Sequence, residues 1–294
     1  MNILVSGASG NIGYELIRGF KEIKTEHTII AADFKPDYAK ELLSEFDIKE
    51  FRKLDFTDQG TFNTALKNID IVFLLRPPNL ADVKKYFEPF VNKMNFIGIQ
   101  KIVFLSVQGV ESQKLIPHYK IEKLLSERNF EHIFLRPGYF MQNLTSTLLH
   151  EIKYEKKIFI PSGKLKFNWV DARDIGLVGA HLINDFNRFK NNAYEITGSE
   201  FVSFDVAAEL LTDTLGEKVT YESPNLMKFF KKKRKLGIPR PMIFVMIMLH
   251  YLPRLGKNRE RLTNTVKEIT GNEPVLLKDF IKRNIKYFSD IKEK

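Results

Sequence analysis

A glycine-rich turn between an apolar strand and an amphipathic helix constrains this chain more than any other feature of its sequence. Residues 1–6 form a short apolar run, and the segment GASGNIG (7–13) separates it from an amphipathic stretch over 14–20. Glycines in such a turn let the backbone reverse sharply, approach a pyrophosphate and pack the next helix against the strand. Amides at the helix start then bind the anion. The spacing predicts a dinucleotide-binding turn made by Gly7, Ser9, Gly10, Asn11, Ile12 and Gly13.

A carboxylate at the end of the second apolar run predicts which dinucleotide is bound. Asp33 follows the run 28–32 and lies twenty residues beyond Gly13. A carboxylate there would accept hydrogen bonds from the ribose hydroxyls and repel a 2′-phosphate, which favours NAD(H) over NADP(H). Lys35 and Lys40 stand nearby and leave NADP(H) open. The alternative to a ribose contact is that Asp33 is only an exposed acid that closes a strand-to-helix loop.

The order of apolar runs predicts the fold class. Strand-like runs alternate with amphipathic stretches from residue 1 to about residue 136. Such alternation is typical of right-handed βαβ units, so we predict an α/β fold with a doubly wound parallel sheet of the Rossmann type. Helical patterns predominate later, which predicts a smaller, mainly helical C-terminal lobe. We expect an NAD(P)-binding domain over 1–160 and a substrate or partner lobe over 161–294, with parts of 165–198 returning to the Rossmann sheet.

The composition excludes several classes of protein. The 294 residues include no cysteine, so disulfides, thiolate nucleophiles and cysteine metal sites are excluded. A strand that starts at residue 1 leaves no room for a signal peptide, and the chain is predicted to be cytoplasmic. The longest apolar segment, 241–252, is shorter than the ~20 residues of a membrane span and predicts a buried helix. The five histidines other than His118 show no metal-ligand spacing, so no metal is expected.

The net charge of +10 is concentrated near the C-terminus. Residues 226–294 contain 18 Lys and Arg against 6 Asp and Glu, whereas residues 1–225 contain 28 against 30. A basic surface attracts nucleic acid, acidic lipid or an anionic partner. No aromatic interleaving or helix-turn-helix spacing indicates specific nucleic-acid recognition. The open alternatives are a protein partner, peripheral contact of residues 228–252 with an acidic surface, or a solvated helix face that includes the run KKKRK (231–235).

Six further segments, taken together with the glycine turn, resemble the NmrA-like family of atypical short-chain dehydrogenases/reductases. They are FLLRPP (73–78), KIVFLSVQGVE (101–111), PHYKIEKLL (117–125), FLRPGYFMQNL (134–144), NWVDARDIG (168–176) and YEITGSE (194–200). They occur in the family's order and extend the resemblance to about residue 284. The family includes NAD(P)H-dependent quinone and dye reductases, and also redox-sensing regulators that bind a dinucleotide without known catalysis.

The resemblance implies cofactor contacts after several predicted strands. In the superfamily, groups after the third strand lie beside the adenine, groups after the fourth lie near the adenosine ribose, and groups after the sixth line the nicotinamide. The matching residues are Asp55 and Phe56, Leu75 and Arg76, and Pro137, Gly138 and Tyr139, with Ser106 after the fifth strand. A flat acceptor would contact the segment that follows, at Tyr139, Phe140, Gln142 and Asn143.

The catalytic residues are harder to assign. Dehydrogenases of this superfamily use a Tyr-x-x-x-Lys pair, in which the lysine lowers the tyrosine pKa. Tyr119 and Lys123 have this spacing but stand late in the chain for that role, so we interpret the match as coincidental. The family instead shows His and Glu, matching His118 and Glu122, which share a helix face where the glutamate would stabilise a proton-donating imidazolium. The alternative is that His118 and Glu122 only pack and cap the helix. Gln108 would supply a neutral hydrogen-bond donor nearby.

Two functions remain open at this stage. A quinone needs no strong acid, because its reduced product is a delocalised anion that water can protonate, so holding the ring against the nicotinamide supplies most of the catalysis. We therefore predict an NAD(P)H-dependent oxidoreductase that acts on a small electrophilic, quinone-like acceptor. The alternative is a non-catalytic sensor that binds the dinucleotide and acts through a protein partner, which requires different affinities for different dinucleotides.

Overall fold

The computed structural model of the chain describes residues 1–255 and 261–289. Its strands are β1 (Asn2–Ser6), β2 (Thr28–Asp33), β3 (Glu50–Lys53), β4 (Ile71–Leu74), β5 (Lys101–Leu105), β6 (Glu131–Pro137), β7 (Tyr139–Phe140), β8 (Lys157–Phe159), β9 (Lys166–Val170), β10 (Asn192–Ile196), β11 (Phe201–Ser203) and β12 (Thr220–Glu222). Its α-helices are α1 (Asn11–Glu22), α2 (Pro36–Leu42), α3 (Phe62–Ala65), α4 (Val83–Tyr86), α5 (Glu88–Phe96), α6 (Pro117–Glu127), α7 (Leu149–Glu155), α8 (Ala172–Asn184), α9 (Phe186–Phe189), α10 (Phe204–Leu215), α11 (Leu226–Lys235), α12 (Arg240–His250), α13 (Thr265–Thr270), α14 (Leu277–Arg283) and α15 (Ile285–Phe288).

Seven strands of the described residues form one parallel sheet in the order β10-β6-β5-β4-β1-β2-β3. The order runs outward in both directions from β1, so the chain changes direction between β1 and β4. In sheets of this kind ligands bind outside the carboxyl ends of the strands at this switch point. The predicted fold class, an α/β Rossmann fold with a doubly wound parallel sheet, is confirmed.

The central strands are apolar because both faces of the sheet are covered. All four residues of β4 are buried, as are the last four of β1 and of β5. Parallel strands covered on both faces show such continuous apolar runs instead of alternation. The aliphatic and aromatic content of these strands therefore fixes which segments form the centre of the sheet.

The described chain divides into two compact units. Unit 1 comprises Met1–Pro137, Ala172–Ile196 and Thr263–Glu273, and unit 2 comprises the remaining described residues. The units interleave along the chain because α8 and α13 pack against each other and β10 pairs with β6 in the large sheet. The domain boundary predicted after residue 160 stays a prediction; residues 172–196, within the range 165–198, belong to unit 1. Residues 256–260 and 290–294 of the predicted C-terminal lobe lie outside the described residues.

Unit 2 contains two small sheets, with strand orders β11-β9-β7 and β12-β8, and helices around an aromatic core. Trp169 of β9 is buried, and its indole nitrogen donates a hydrogen bond to the carbonyl oxygen of Val202 at 2.9 Å. The predicted buried helix over 241–252 corresponds to α12, but only Ile243, Met246 and His250 of α12 are buried. Among the described helices, none is long and apolar enough to cross a membrane.

Helices α1 and α8 of unit 1 pack with their backbones in close contact. A Cβ added to Gly19 would lie 2.9 Å from the carbonyl oxygen of Gly176. A Cβ added to Gly176 would lie 2.3 Å from the carbonyl carbon of Glu15 and 2.7 Å from the amide nitrogen of Leu16. Because these are backbone atoms, they cannot rotate away as a side chain can. The two glycines therefore set the distance between the helices.

We expect Gly176→Ala to lower the free energy of unfolding by about 3 kcal/mol, because the new methyl group forces α1 and α8 apart. Urea unfolding followed by circular dichroism measures the change as a shift in midpoint at constant slope. Gly98→Ala is the matched control. Its Cβ would meet no described atom within 4 Å, so it carries only the cost of a left-handed φ of +82°, about 1–2 kcal/mol. Equal losses for the two variants would contradict the close packing.

Candidate functional site

The glycine turn of unit 1 has the geometry of an anion cradle. Gly7 has a φ of +61°, and its carbonyl oxygen accepts a hydrogen bond from the Gly10 amide at 2.9 Å. Gly10, which has no side chain to cap the helix, stands at the N-cap of α1. A Cβ on Gly13 would lie only 2.3 Å from the Gly7 oxygen. The first-turn amides of α1, including those of Asn11 and Ile12, therefore lie directly beside a backbone turn whose glycines carry no side chain. An anion binds well at such a place.

A buried serine fastens the turn at the switch point of the sheet. Ser6 is fully buried, and its Oγ accepts a hydrogen bond from the Leu75 amide at 2.8 Å. The Leu75 side chain covers the turn, since a Cβ on Gly7 would lie 3.3 Å from its Cδ2. Sequence reasoning missed Ser6. The available signal was a polar residue that ends an otherwise apolar strand directly before the glycine turn.

Asp33 holds the turn from the neighbouring strand β2. Its Oδ2 accepts hydrogen bonds from the Ser9 amide at 3.0 Å and from the Ser9 hydroxyl at 2.8 Å, and its Oδ1 accepts one from the Lys35 amide at 3.1 Å. The carboxylate thus stabilises the glycine turn. Its contact with a ribose stays a prediction. A carboxylate has about four acceptor positions, so one remains beyond these three bonds.

The predicted adenine-side residues have other partners. Phe56 is a core residue whose ring packs against Phe87 at 5.0 Å and Phe90 at 5.2 Å between centroids. The Asp55 carboxylate accepts hydrogen bonds from the amide and hydroxyl of Thr57, at 2.8 and 2.6 Å. The contact of Asp55 and Phe56 with an adenine stays a prediction.

His118 does not pair with Glu122, contrary to the expectation from their spacing. Its Nε2 lies 3.5 Å from Nε of Arg76, and burial together with this guanidinium lowers the pKa of His118 to about 3. Arg76 in turn donates hydrogen bonds to the carbonyl oxygens of Pro77, Pro78 and Leu80 and so closes the loop after β4. His118 is neutral at pH 7, and the expected imidazolium is not formed.

Glu122 instead binds Arg136 at the end of β6. The guanidinium contacts both carboxylate oxygens, with Nε to Oε1 at 3.1 Å and Nη2 to Oε2 at 2.7 Å. Glu111 lies 3.2 Å from Nη1 of the same arginine. Arg136 is partly desolvated, yet the pKa of its guanidinium is raised because Glu122, Glu111 and Glu195 surround it. This bidentate pairing locks helix α6, which carries His118, against the carboxyl end of the sheet.

Two further predicted residues lie at the carboxyl end of β5. The Gln108 amide nitrogen Nε2 donates to Glu195 of β10 at 3.1 Å, and its backbone amide donates to the carbonyl oxygen of Pro137 at 3.0 Å. Ser106 is 2% exposed, and its Oγ has no hydrogen-bond partner among the described residues. An unpartnered buried hydroxyl is costly unless a ligand or water satisfies it. Ser106 is therefore the residue of this group best suited to meet a bound ligand.

The coincidental pair of Tyr119 and Lys123 occupies the outer part of helix α6. Lys123 is exposed and lies 3.5 Å from Glu127, one helical turn further on. A lysine engaged on the solvent side of the helix is poorly placed to lower the pKa of a tyrosine in a catalytic cleft. The geometry agrees with the interpretation of the motif as accidental.

The predicted acceptor residues belong to unit 2 and make contacts inside it. The Tyr139 hydroxyl donates to Nε2 of His250 at 2.8 Å, while Nδ1 of His250 contacts the Met246 carbonyl oxygen at 2.6 Å. Burial raises the pKa of Tyr139 well above its usual value, against a hydrogen bond to Asn143 that lowers it. Tyr139 is therefore a neutral hydrogen-bonding residue of unit 2, and no proton donor at neutral pH.

The neighbouring residues of this segment are also held within unit 2. Gln142 donates from Nε2 to Oδ1 of the fully buried Asp171 at 2.7 Å, and Arg283 binds the other oxygen of that carboxylate. A Cβ on Gly138 would lie 1.5 Å from Oδ1 of Asn168, so packing alone requires glycine there. Contacts of Gly138, Phe140, Gln142 and Asn143 with cofactor or acceptor stay predictions.

The residues of unit 1 fit a nicotinamide dinucleotide. The glycine turn is a cradle that a Cβ would fill, an uncapped helix start supplies amides, and the orphaned hydroxyl of Ser106 lies at the end of a neighbouring strand. Together these groups follow the carboxyl ends of β1, β2, β4 and β5, the edge where such sheets bind ligands. Within residues 1–255 and 261–289, no cluster of three His, Asp or Glu residues suits a metal ion.

These features define an NAD(P)-binding protein of the Rossmann class. The sequence profile of the NmrA-like family matches residues 1–260, and the chain belongs to this family. The resemblance noted from the motifs is thereby confirmed.

Two relatives span almost the whole chain. Festuclavine synthase II of Penicillium roqueforti (strain FM164) is 30% identical over 284 residues, which cover 95% of this chain and 96% of that protein. Prestalk A differentiation protein A of Dictyostelium discoideum is 27% identical over 282 residues, which cover 96% and 92% respectively. The names of these relatives point in different directions, one to metabolism and one to differentiation.

A solved structure agrees in fold. The crystal structure of an NADPH-dependent quinone oxidoreductase from Escherichia coli, complexed with NADPH, superimposes with a TM-score of 0.84. The match covers 97% of this chain and 100% of that one, at 18% sequence identity. At this identity the likeness establishes the fold alone.

Two histidines predict a loss of stability in acid. The folded-state pKa is about 3 for His118 and, through burial, about 4 for His250. Unfolded histidine titrates near pH 6.5, so below that pH the unfolded chain binds protons that the folded chain does not. The free energy of unfolding therefore falls as the pH drops from about 6.5 towards 4, by up to about 1.4 kcal/mol per pH unit for each histidine. Urea unfolding between about pH 7 and pH 5 measures this slope.

The variant His118→Gln removes one of these groups, so its stability should fall less steeply with acid than that of the parent. His150 is exposed, and His150→Gln is the matched control that should retain the parental slope. Identical slopes for the parent and both variants would show that His118 titrates normally.

Proposed function

We propose that this protein is an NAD(P)H-dependent oxidoreductase that reduces a small electrophilic, quinone-like acceptor, with NAD(H) preferred over NADP(H). The observation that carries the proposal is the glycine turn with its uncapped helix start at the switch point of the sheet. Membership of the NmrA-like family supports it, as does the shared fold with an NADPH-dependent quinone oxidoreductase. A bound reduced nicotinamide would supply a hydride to the acceptor.

The chain's own contribution is binding and orientation. The first-turn amides of α1 hold the pyrophosphate, and Asp33 faces the adenosine ribose while it fixes Ser9 of the turn. We propose that Ser106, whose buried hydroxyl has no partner among the described residues, contacts the nicotinamide part of the ligand from the end of β5. Such preformed contacts place a ligand for reaction without further ordering of the protein.

Acid catalysis is not a strong contribution in this proposal. His118 is neutral at pH 7 and Tyr139 holds its proton tightly, so neither protonates an alkoxide readily. A quinone-like acceptor tolerates this, because its reduced anion is stable enough to take a proton from water. We propose His118 as a neutral hydrogen-bonding group at the acceptor. Glu122 and Gln108 act as positioning residues through Arg136 and Glu195.

The test is to follow absorbance of the reduced nicotinamide while the purified protein is mixed with NADH or NADPH and a panel of benzoquinones, naphthoquinones, dyes and aldehydes. We expect turnover with quinones and dyes and little with unactivated aldehydes, because only the former need no acid. Dissociation constants are measured alongside. Gly13→Ala should weaken dinucleotide binding by about tenfold or more, since its Cβ would meet the Gly7 oxygen. Gly98→Ala, outside the site, should bind as the parent does.

Three further outcomes of this experiment test the role of His118 and distinguish the reductase from the sensor. His118→Ala should lower kcat and leave the Kd for NADH unchanged; an unaltered kcat would remove His118 from the reaction. Tight dinucleotide binding without turnover across the panel would favour the non-catalytic sensor. Absence of dinucleotide binding would overturn both functions.

The preference for NAD(H) is tested at Asp33. A carboxylate near a 2′-phosphate repels it, so Asp33→Asn should shift the ratio of NADPH to NADH affinity by about tenfold or more towards NADPH. Ser9→Ala is the matched control, because it removes one hydrogen bond to Asp33 and keeps the carboxylate. Ser9→Ala should weaken both dinucleotides alike. An unchanged ratio in Asp33→Asn would show that Asp33 only buttresses the turn.

A further inference from the structure

Helix α12 presents a continuous apolar face to solvent. Phe244 is 60% exposed and Leu249 50%, and Val245, Met248 and Leu252 are exposed beside them. The spacing of four residues between 244 and 248, and again between 245 and 249, places these four on one side of the helix, and Leu252 follows in the turn beyond its end. The opposite side is buried in unit 2. A contiguous exposed apolar set of this size marks a surface that binds something.

Exposed cations border this face. The Phe230 ring of α11 contacts the Phe244 ring of α12, with centroids 5.7 Å apart, so the two helices adjoin at that point. Lys231, Arg234 and Lys235 of α11 are exposed, as is Arg240 at the start of α12. Residues 226–255 contain eight Lys and Arg and not one Asp or Glu. We call the exposed side of α11 and α12 the basic–apolar surface.

Two cations of the same segment are turned away from this surface. Lys233 is 1% exposed and forms an ion pair with Glu151, which is equally buried, and Lys232 pairs with Glu155. These contacts use acidic groups of α7, and Lys228 pairs with Glu222 of β12, so the cations of α11 that face solvent are Lys231, Arg234 and Lys235. The basic–apolar surface therefore combines unneutralised positive charge with a large apolar face.

This combination favours an anionic lipid surface over a second copy of the chain. A two-fold dimer would place the same patch against itself, and with no acidic residue in 226–255 its cations would face like charges. A bilayer with anionic headgroups offers negative charge at the level of the cations and acyl chains just below. The cations of the surface then meet negative headgroups, and its apolar side chains meet acyl chains.

We propose that the basic–apolar surface docks this protein onto an anionic lipid bilayer, with the apolar face of α12 at the boundary between headgroups and acyl chains. Helix α12 has 11 residues and a length of roughly 16 Å, far below the roughly 30 Å of a hydrocarbon core, so it lies along the surface and does not span. The proposal is independent of the reductase activity, because none of its residues belongs to the dinucleotide site.

The test is co-sedimentation of the full chain with vesicles of phosphatidylcholine alone and of phosphatidylcholine mixed with phosphatidylserine, at low and high salt. We expect binding to the mixed vesicles at low salt, weaker binding at high salt because salt screens the cations, and little binding to phosphatidylcholine alone. The vesicles carry no dinucleotide and no acceptor, so failure of the proposed function would leave this result unaffected.

Paired variants separate the two parts of the surface. Phe244→Ser with Leu249→Ser should abolish most binding, whereas Phe96→Ser with Leu115→Ser, the same changes at exposed positions of unit 1, should bind as the parent does. Lys231→Glu with Lys235→Glu should weaken binding by about fivefold or more per lysine, and Lys49→Glu with Lys84→Glu, at exposed positions of unit 1, should have a smaller effect.

All variants alter exposed side chains, and circular dichroism checks that they fold. If Phe244→Ser with Leu249→Ser does not fold, the lysine variants test the proposal. Absence of binding to mixed vesicles at low salt overturns the proposal. So does equal binding to neutral vesicles, or equal loss in the control variants. Analytical ultracentrifugation provides the remaining outcome: a dimer that Phe244→Ser with Leu249→Ser converts to monomer, without vesicle binding by the parent, would assign the face to a second copy.

Discussion

The contact between the glycine turn and helix α1 is the constraint on which the rest of unit 1 depends. A Cβ at residue 13 would lie 2.3 Å from the Gly7 oxygen, so the helix starts directly against the turn. That start orients the first-turn amides towards the carboxyl edge of the sheet. The other face of α1 then meets α8 through Gly19 and Gly176, again backbone against backbone. Two close contacts on one helix thus connect the anion cradle to the packing of the sheet, and a methyl group at either contact disturbs both.

Charge pairing decides which residues are chemically active at the carboxyl edge. Arg136 pairs with Glu122 and Glu111, and burial together with the adjacent Arg76 lowers the pKa of His118. The outcome is an edge where Arg136 is paired with two glutamates, His118 is neutral, and the Asp33 carboxylate accepts hydrogen bonds from Ser9 and Lys35. Such an edge binds and orients ligands well, because it presents fixed hydrogen-bond donors and acceptors, but it has little capacity to deliver a proton at neutral pH. This property favours an acceptor that becomes a stable anion over one that becomes a strongly basic alkoxide.

Sequence reasoning predicted the parts of this fold that depend on local patterns. The strands β1 and β2 begin and end within a residue or two of the apolar runs 1–6 and 28–32, because burial on both faces demands continuous apolar segments. It failed where the partner of a side chain is distant in sequence. The spacing of His118 and Glu122 indicates a pair, yet Arg136 offers a bidentate partner from a neighbouring strand, and only the fold brings it there. The aromatic neighbours of Phe56 are also distant in sequence, since Phe87 directly precedes α5 and Phe90 belongs to it, while its contact with an adenine stays a prediction.

The buried pair of Lys233 and Glu151 shows how geometry gives neighbouring, identical residues different roles. On a helix, successive side chains point about 100° apart, so a run of five cations cannot all face solvent. Lys233 lies over the ring of Phe229, one turn earlier on the buried side of α11, and meets Glu151 of α7 there. Burying an ion pair contributes little net stability, because desolvation offsets the attraction, but losing one partner is costly. The pair therefore acts mainly on orientation: it fixes the rotation of α11, and with it which of the remaining cations stand beside the exposed face of α12.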